Sequence, residues 1–314
     1  MLTWIFVFIA ALVVLLLSSK FFTGAAEKIG VSLGFSPFVI GVFIIGIGTS
    51  LPELISGFLA VNSGTSQIVA GNILGANISN IFLISGIAAL LAKKRIDLGS
   101  QYIMIDLHFM LGGAFLLVLV MYDGTIVLPE GLFLLGAFIT YTIYILKSGG
   151  KAEVLAEEVA KPKNNGIGKQ VLILLGCGAG IYFGADYTVL SIEKMAGIAG
   201  IPPSIISLTA LSLGTTLPEL SVNISAIRQG KAEMAIGNVL GSCVFNSLAI
   251  PGLVGLSGTI NVPTDLLYFS LPVLVIASLF FYLLTLDKKI SPYEGILFII
   301  FYAFFLYKVA SGVV

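Results

Sequence analysis

Charge is scarce in this sequence. Asp, Glu, Lys and Arg make up 10% of its 314 residues and balance to a formal net charge of zero, whereas soluble domains carry roughly 25% charged residues. A chain without an excess of basic residues is not expected to bind nucleic acid. With 58% hydrophobic residues and a mean hydropathy of +1.09, its solvent is expected to be a lipid bilayer.

Reactive and metal-binding side chains are equally rare. The sequence holds two cysteines and one histidine. Cys177 and Cys243 both fall in apolar segments, so neither a disulfide framework nor a CxxC site is predicted. No HExxH motif occurs, which argues against a metal-dependent hydrolase embedded in the membrane. We expect a protein that is not an enzyme and that needs no cofactor.

The sequence contains many long apolar segments. A transmembrane helix needs about 20 mostly apolar residues, and the chain contains ten segments of this kind. No Lys or Arg precedes the first, so it lacks the basic start of a cleaved signal peptide and is predicted to be a membrane helix. The predicted fold class is an all-α membrane protein with spans at residues 2–19, 37–62, 67–92, 101–121, 126–146, 168–190, 203–227, 233–256, 264–286 and 291–311.

Basic residues are distributed unevenly between the loops. Fourteen of the sixteen Lys and Arg follow or flank odd-numbered spans, and only Lys194 and Lys308 lie on the other side. Because cytoplasmic loops collect basic residues, both termini are predicted to be extracellular. The polar stretch 147–167 is then a cytoplasmic linker, and the chain is a multi-pass protein of the cell membrane.

The two halves of the sequence repeat each other. GTSLPEL, which contains Glu53, recurs 166 positions later as GTTLPEL, which contains Glu219, and the register holds without a gap over residues 27–80. Five spans are an odd number, so the second copy enters the membrane from the opposite side. Such inverted repeats are an architecture of secondary transporters. The predicted units are a first repeat at 1–146 with its motif region at 37–92, the linker at 147–167, and a second repeat at 168–314 with its motif region at 203–256.

A proline immediately precedes each repeated glutamate. Pro52 and Pro218 have no N–H to donate to the preceding helical turn, so helices 2 and 7 are predicted to be broken there. In a bilayer, the freed carbonyls must be buried in protein, wetted by a cavity or bound to a cation. Glu53 and Glu219 would supply such a cation with hard oxygen ligands and with countercharge.

A structural reading competes with this one. Ser50 to Glu53 and Thr216 to Glu219 also fit a capping box, in which the glutamate closes onto a helix N-terminus. A charge at mid-span costs at least about 2.5 kcal/mol. The sequence places one there twice, which favours functional carboxylates. A cap that fixes the direction of the glutamate is compatible with ion binding.

A second repeated motif follows in helices 3 and 8. It reads GNILGANISN at 71–80 and GNVLGSCVFN at 237–246. Glycines four positions apart allow another helix to approach closely, and residues at the same spacing share a helical face. Together these features predict a site of amides, hydroxyls and backbone carbonyls between facing helices. The residues on these faces are Asn72, Ala76 and Asn80 in the first copy and Asn238, Ser242 and Asn246 in the second.

The other ionisable residues near the spans have no such pairing. His108 has no counterpart in the repeat and is expected to be structural or interfacial. The acidic residues nearer the predicted span ends are expected to be solvated or paired surface charges. They are Asp106, Asp123, Glu130, Asp186 and Glu294.

The paired motifs resemble the alpha-repeats of sodium/calcium exchangers in the cation/calcium antiporter superfamily, especially the compact prokaryotic members. The resemblance covers nearly the whole chain. It implies antiport of Ca²⁺ against Na⁺ by alternating access, without ATP hydrolysis. The expected partners are these ions, with H⁺ as a competitor for the same carboxylates, and the lipid bilayer around a monomer.

The resemblance also implies a set of ligands. Glu53 and Glu219 would be the central Ca²⁺ ligands and would be shared with the sodium sites. Asn80 and Asn246 would line the middle of the site. The remaining implied ligands are the backbone carbonyls of Thr49 and Thr215 for Ca²⁺, and Ser50, Thr216, Ser242 and the carbonyls of Gly46 and Ser212 for Na⁺.

Two positions depart from the family pattern. Asn246 stands where the potassium-dependent branch carries aspartate, which argues against potassium co-transport. Ala76 replaces a serine that is common at its position, which removes a hydroxyl from one sodium site. Two other functions stay open: an H⁺/Ca²⁺ exchanger, whose branch places its acidic residue differently, and a cation channel, which would pass Ca²⁺ downhill without a counter-ion.

Overall fold

The computed structural model of the protein describes residues 1–92, 95–98, 101–149, 166–199 and 203–311. Within these ranges, the backbone alone is described at 97, 101–105, 148–149, 189, 192–193, 196 and 203–215. Most of the predicted linker, at 150–165, lies outside the described residues.

Helical structure is present at every predicted span. Eight of the described helices are long and apolar enough to cross a membrane. The chain is therefore a helical, multi-pass membrane protein. The helices are α1 (Leu2–Ser32), α2 (Pro37–Asn62), α3 (Gln67–Ala92), α4 (Gln101–Met121), α5 (Leu128–Gly149), α6 (Ile167–Ile198), α7 (Pro203–Arg228), α8 (Ala232–Gly255), α9 (Leu266–Leu284) and α10 (Pro292–Ala310).

The first helix extends well past its predicted end at residue 19. Its continuation is amphipathic, because Phe22 and Ala26 are buried while Lys20 is exposed. Average hydropathy detects only the fully apolar part of such a helix. Near its end Glu27 forms an ion pair with Lys231, with 2.7 Å between carboxylate oxygen and ammonium nitrogen.

The second helix is interrupted where the sequence predicts a break. It consists of a π-helical stretch at Ile40–Gly46, a short α-helical turn at Ile47–Thr49, and an α-helix at Leu51–Asn62. Ser50 stands between the last two with φ −92° and ψ 4°, outside the helical region. Pro52 lies in the first turn of the new helix, where its missing N–H costs nothing.

The predicted break in the seventh helix is wrong. α7 is one α-helix through Pro203–Arg228, with Pro218 in its interior. A proline removes a single i to i−4 hydrogen bond, and the bonds on either side can carry the helix past it. The repeated Pro-Glu sequence therefore gives two different backbones.

Two further π-helical stretches occupy equivalent positions in the two repeats. Ser79–Ile84 widens α3 and Phe245–Ala249 widens α8. Each begins at or next to one asparagine of the second motif, Asn80 or Asn246. Single π-turns within α-helices are frequent at functional sites, and hydropathy gives no sign of them.

Two short antiparallel ladders join loops from different halves of the chain. β1 (Ile96–Asp97) pairs with β4 (Lys289–Ile290), and β2 (Thr125–Ile126) pairs with β3 (Ile260–Asn261). β3 follows β1 by 164 positions, and β4 follows β2 by the same number. The ladders are thus equivalent under the repeat, and they are the β-structure that the all-α prediction did not include.

Burial divides the helices into an inner and an outer group. The apolar window of α8 is buried throughout, and 78% of that of α3 is buried. In α1 and α6, which pack along each other, the corresponding fractions are 17% and 11%. Both polar motifs therefore lie inside the bundle, while α1 and α6 present most of their surface to lipid.

Candidate ion-binding site

The two repeated glutamates are both inside the protein. Glu53 is 4% exposed and Glu219 is 2% exposed, on α2 and α7 respectively. Their carboxylates lie close enough to repel each other electrostatically. Among the described residues neither forms an ion pair with a basic side chain. Two desolvated carboxylates of this kind need a cation or protons to offset their charge.

The capping-box reading fails at Ser50. No side-chain capping bond is made at the start of Leu51–Asn62. The buried Ser50 hydroxyl has no hydrogen bond of normal geometry, but it lies close enough to the Glu219 carboxylate to interact with it. A complete capping box is present elsewhere, at Ser291 and Glu294 at the start of α10. The same sequence pattern therefore caps a helix at the surface but makes no capping bond in the interior.

The carbonyl of Gly46 is where α2 meets α8. It accepts hydrogen bonds from the hydroxyls of Ser242, at 3.3 Å, and Thr49, at 3.4 Å. Both hydroxyls also lie near the Oδ1 atom of Asn238, at 3.5 and 3.4 Å respectively. These contacts bring four of the predicted site residues into one network.

Glycines bring the two helices together at this point. A side chain at Gly237 or Gly241 would collide with the backbone at Phe38 or Val42, and one at Gly41 would collide with the backbone of Met234. The predicted close approach is thus present in the second copy of the motif. Gly71 and Gly75 in the first copy have no comparably close partner among the described residues.

The middle of the site is lined by amides. Asn80 and Asn246 are buried, and the Nδ2 atom of each lacks a hydrogen-bond partner, as does the Oδ1 atom of Asn246. Ala76 is buried on the same face of α3 as Asn80. Cys243 was not predicted to take part, but its thiol lies beside Asn80 and within electrostatic range of Glu219.

Unpartnered polar atoms are concentrated around these residues. Buried polar groups in proteins nearly always have a hydrogen-bond partner, so a cluster without one requires an explanation. Carboxylate, amide and hydroxyl oxygens are the ligands that Na⁺ and Ca²⁺ take. The unpartnered oxygens at predicted site residues are Ser50 Oγ, Glu53 Oε2, Thr216 Oγ1, both Oε atoms of Glu219 and Asn246 Oδ1. The Nδ2 atoms of Asn80, Asn238 and Asn246 are also unpartnered, but they are hydrogen-bond donors and not cation ligands.

Not every predicted site residue joins this cluster. Asn72 is partly exposed and donates to Ser56, farther along α2, at 3.4 Å. Thr215 and Ser212 belong to α7, but their side chains lie outside the part of the structure that is described. In the second copy of the first motif, the site residues whose side chains are described are therefore Thr216 and Glu219.

Most of the other ionisable residues behave as expected. Asp123 and Glu130 accept backbone hydrogen bonds from Thr125 and Val127 in the loop before α5. His108 is exposed and meets the ring of Tyr282 edge-on, with centroids 5.5 Å apart. Asp186 is exposed, and Glu294 forms the cap described above.

The expectation for Asp106 is wrong, because this residue is fully buried. It lies little more than one turn into α4, so its distance from the span end suggested solvent. Burial depends instead on the neighbouring helices, and Tyr141 of α5 covers it.

A family model described as "Sodium/calcium exchanger protein" matches residues 3–147 and 169–310. The chain belongs to the sodium/calcium exchanger family. The stretch between the two matched segments coincides with the predicted linker, so both halves of the chain carry the family pattern.

Two relatives of similar length are similar to this chain over most of its residues. "Sodium/calcium exchanger MaX1" of Methanosarcina acetivorans is 32% identical, with 96% of each chain covered. "Inner membrane protein YrbG" of Escherichia coli is 28% identical, with 92% of this chain and 90% of the relative covered.

The fold also matches solved exchanger structures. The sodium-calcium exchanger NCX_Mj soaked with 2.5 mM Na⁺ and 0.1 mM Sr²⁺ superimposes with a TM-score of 0.83 at 28% identity, over 99% of each chain. The arrangement of helices around the site is thus similar to that of this exchanger.

Proposed function

We propose that the protein is a secondary active antiporter that exchanges Ca²⁺ for Na⁺ across the cell membrane by alternating access. The observation that carries the proposal is the cluster of buried, unpartnered polar atoms around Glu53 and Glu219. Membership of the sodium/calcium exchanger family supports these two ions as the transported substrates.

The proposal includes two inverted five-helix repeats, at 1–146 and 168–314, with extracellular termini and a cytoplasmic linker at 147–167. The β ladders support the alternation of ten spans. β1 and β4 follow the odd-numbered helices α3 and α9, whereas β2 and β3 follow the even-numbered α4 and α8. Strands that pair must lie on the same side of the membrane. Alternating spans place the loops after odd-numbered helices on one side and the loops after even-numbered helices on the other, which agrees with both pairings.

In the proposed site, Ca²⁺ binds between the carboxylates of Glu53 and Glu219. Each half of the chain contributes one glutamate, so the site is complete only at the interface between the repeats. Na⁺ uses the same glutamates together with neighbouring neutral oxygens. The other proposed ligands and lining residues are Ser50, Thr216, Ser242, Asn80, Asn246, Asn72, Asn238, Ala76 and the carbonyls of Gly46, Thr49, Ser212 and Thr215.

Charge explains why the two ions would compete. Two ionised carboxylates neutralise one Ca²⁺, or hold several Na⁺ with a small residual positive charge. Simultaneous occupation by all of these ions would leave a large uncompensated charge in a medium of low dielectric constant. Binding of one kind of ion therefore displaces the other, which is the physical basis of exchange.

The test is uptake of ⁴⁵Ca²⁺ into proteoliposomes driven by an outward Na⁺ gradient. Glu53→Gln and Glu219→Gln each remove one charge at nearly constant shape, and each is expected to reduce uptake to the level of protein-free vesicles. Glu130→Gln is the matched control, because Glu130 accepts a backbone hydrogen bond at the surface and the amide oxygen can replace it. Wild-type uptake by either site variant contradicts the proposal.

Separate gradients identify the counter-ion. Imposing Na⁺, K⁺ and H⁺ gradients one at a time is expected to give Ca²⁺ uptake with Na⁺ alone. Uptake driven by a pH gradient without Na⁺ would show an H⁺/Ca²⁺ exchanger. Downhill Ca²⁺ flux without any counter-ion would show a channel.

A further inference from the structure

Asp106 carries a carboxyl group that the proposed ion site does not use. None of its surface is exposed. Its Oδ1 atom accepts a hydrogen bond from the hydroxyl of Tyr141, and its Oδ2 atom is buried without a partner. Ionisable residues inside membrane helices are costly and by default functional, and their partner is the first clue to their role.

Tyr141 connects this carboxyl group to the back of α8. The tyrosine ring packs against Phe109 and Phe138, with centroids 5.0 and 6.4 Å away, so the surroundings are largely apolar. Phe138 also meets the ring of Phe245 on α8 edge-on, with centroids 5.6 Å apart, and Phe245 immediately precedes the site residue Asn246. The Asp106–Tyr141 pair therefore stands directly behind the ion site.

Among the side chains that the structure describes, those that face Asp106 cannot neutralise a negative charge. They are the Tyr141 hydroxyl from α5 and, beyond it, the Cys243 thiol from α8. Among the described residues no basic side chain forms an ion pair with Asp106. His108 of α4 is exposed and meets Tyr282 of α9 instead.

An uncharged carboxyl group fits this environment better than a carboxylate. Burying an unpaired charge is far more costly than burying an unpaired neutral donor. A proton on Oδ2 leaves Oδ1 free to accept from Tyr141. The observed hydrogen bond is thus compatible with the protonated acid.

We propose that Asp106 and Tyr141 form a proton-binding site behind α8, in which Oδ2 of Asp106 carries the proton and Tyr141 donates to Oδ1. The bound proton keeps a third negative charge away from Glu53 and Glu219. The proton site itself does not depend on the exchange activity proposed above, whereas this consequence rests on it.

Infrared spectroscopy of the purified protein in nanodiscs tests the site directly. Aspartate labelled with ¹³C in its side-chain carboxyl is expected to reveal a protonated-carboxyl stretching band that shifts with the label and with D₂O. The other aspartates whose side chains are described are exposed, so the band is assigned by its loss in Asp106→Asn. If that variant does not fold, the labelled wild type decides alone. Absence of a label-sensitive band overturns the proposal.

Transport gives an independent readout. Ca²⁺ flux of the wild type and of Asp106→Asn is measured at increasing pH, equal on both sides of the vesicle. At high pH, Asp106 of the wild type would lose its proton and leave an unpaired negative charge behind α8. The asparagine of the variant stays uncharged at every pH, so the variant avoids this change. The ratio of variant flux to wild-type flux is therefore expected to rise with pH. A constant ratio overturns the link to transport, and if neither protein exchanges ions, the infrared band still decides the proton site.

Discussion

The hydroxyl of Ser242 donates to the carbonyl of Gly46, 3.3 Å away. This hydrogen bond crosses from α8 to α2 and joins the second motif of one repeat to the helix that carries the first motif of the other. It also ties a proposed Na⁺ ligand to the residue four positions before Ser50, where α2 loses its regular geometry.

Ser242→Ala is expected to weaken Na⁺ binding without preventing transport. The change removes one neutral oxygen, whose contact with the ion is expected to contribute about as much as one hydrogen bond, about 0.5–1.5 kcal/mol. This free energy corresponds to a roughly 2- to 10-fold higher Na⁺ concentration for half-maximal Ca²⁺ exchange. The measurement is the Na⁺ dependence of ⁴⁵Ca²⁺ efflux. Ser63→Ala, at the exposed end of α2, is the control, and an unchanged Na⁺ dependence in Ser242→Ala would exclude it as a ligand.

Ser50→Ala and Ser291→Ala are expected to have opposite effects. Ser291 caps α10, so its loss should lower the free energy of unfolding by about 1 kcal/mol and leave ion affinity unchanged. Ser50 makes no capping bond and its hydroxyl lies beside the Glu219 carboxylate, so its loss should leave the ion-free protein nearly as stable as before and weaken ion binding. Thermal unfolding in detergent, with and without Ca²⁺ or Na⁺, measures both effects. Destabilisation of the ion-free protein by Ser50→Ala would restore the capping reading.

Gly241→Ala should disrupt the contact between α2 and α8. A methyl group at this position meets the backbone of Val42, and overpacking of this kind costs about 1–3 kcal/mol. Gly136→Ala on α5 is the matched control, because that position has open space around it. The midpoint of thermal unfolding is expected to fall for the first variant and to stay or rise for the second. Equal midpoints would mean that the glycine contact is not needed.

Ca²⁺ is expected to stabilise the wild type against thermal unfolding. An ion that binds only the folded protein adds about 2.7 kcal/mol at 100 times its Kd. The double variant Glu53→Gln and Glu219→Gln should show no such gain, and it should be at least as stable as the wild type in the absence of ions, because buried glutamines need neither a cation nor protons to offset a charge. An equal Ca²⁺ effect in both proteins would place the binding site elsewhere.

The positions of the spans and of the two glutamates could be predicted because they depend on local composition and on exact repetition. Glu53 and Glu219 were expected inside, and both are buried. The backbone at the prolines could not be predicted equally well. Pro52 begins a helix while Pro218 lies within one. The two motifs have nearly the same local sequence, so this difference is set by the helices that pack around each of them.

Asp106 shows a second limit of the sequence. Its position near the start of α4 suggested contact with water, but a residue's depth in a helix does not determine its burial within a bundle. Tyr141, 35 positions away, covers it. The π-helical turns at Asn80 and Asn246 have a similar origin, since they change hydrogen bonding without changing hydropathy.

The two β ladders have a consequence for the independence of the two halves. Each one completes the backbone hydrogen bonds of a loop in one half with a strand from the other half. Either half expressed alone would leave these strand edges to water or to a second chain. The two halves are therefore expected to form a stable protein together rather than separately.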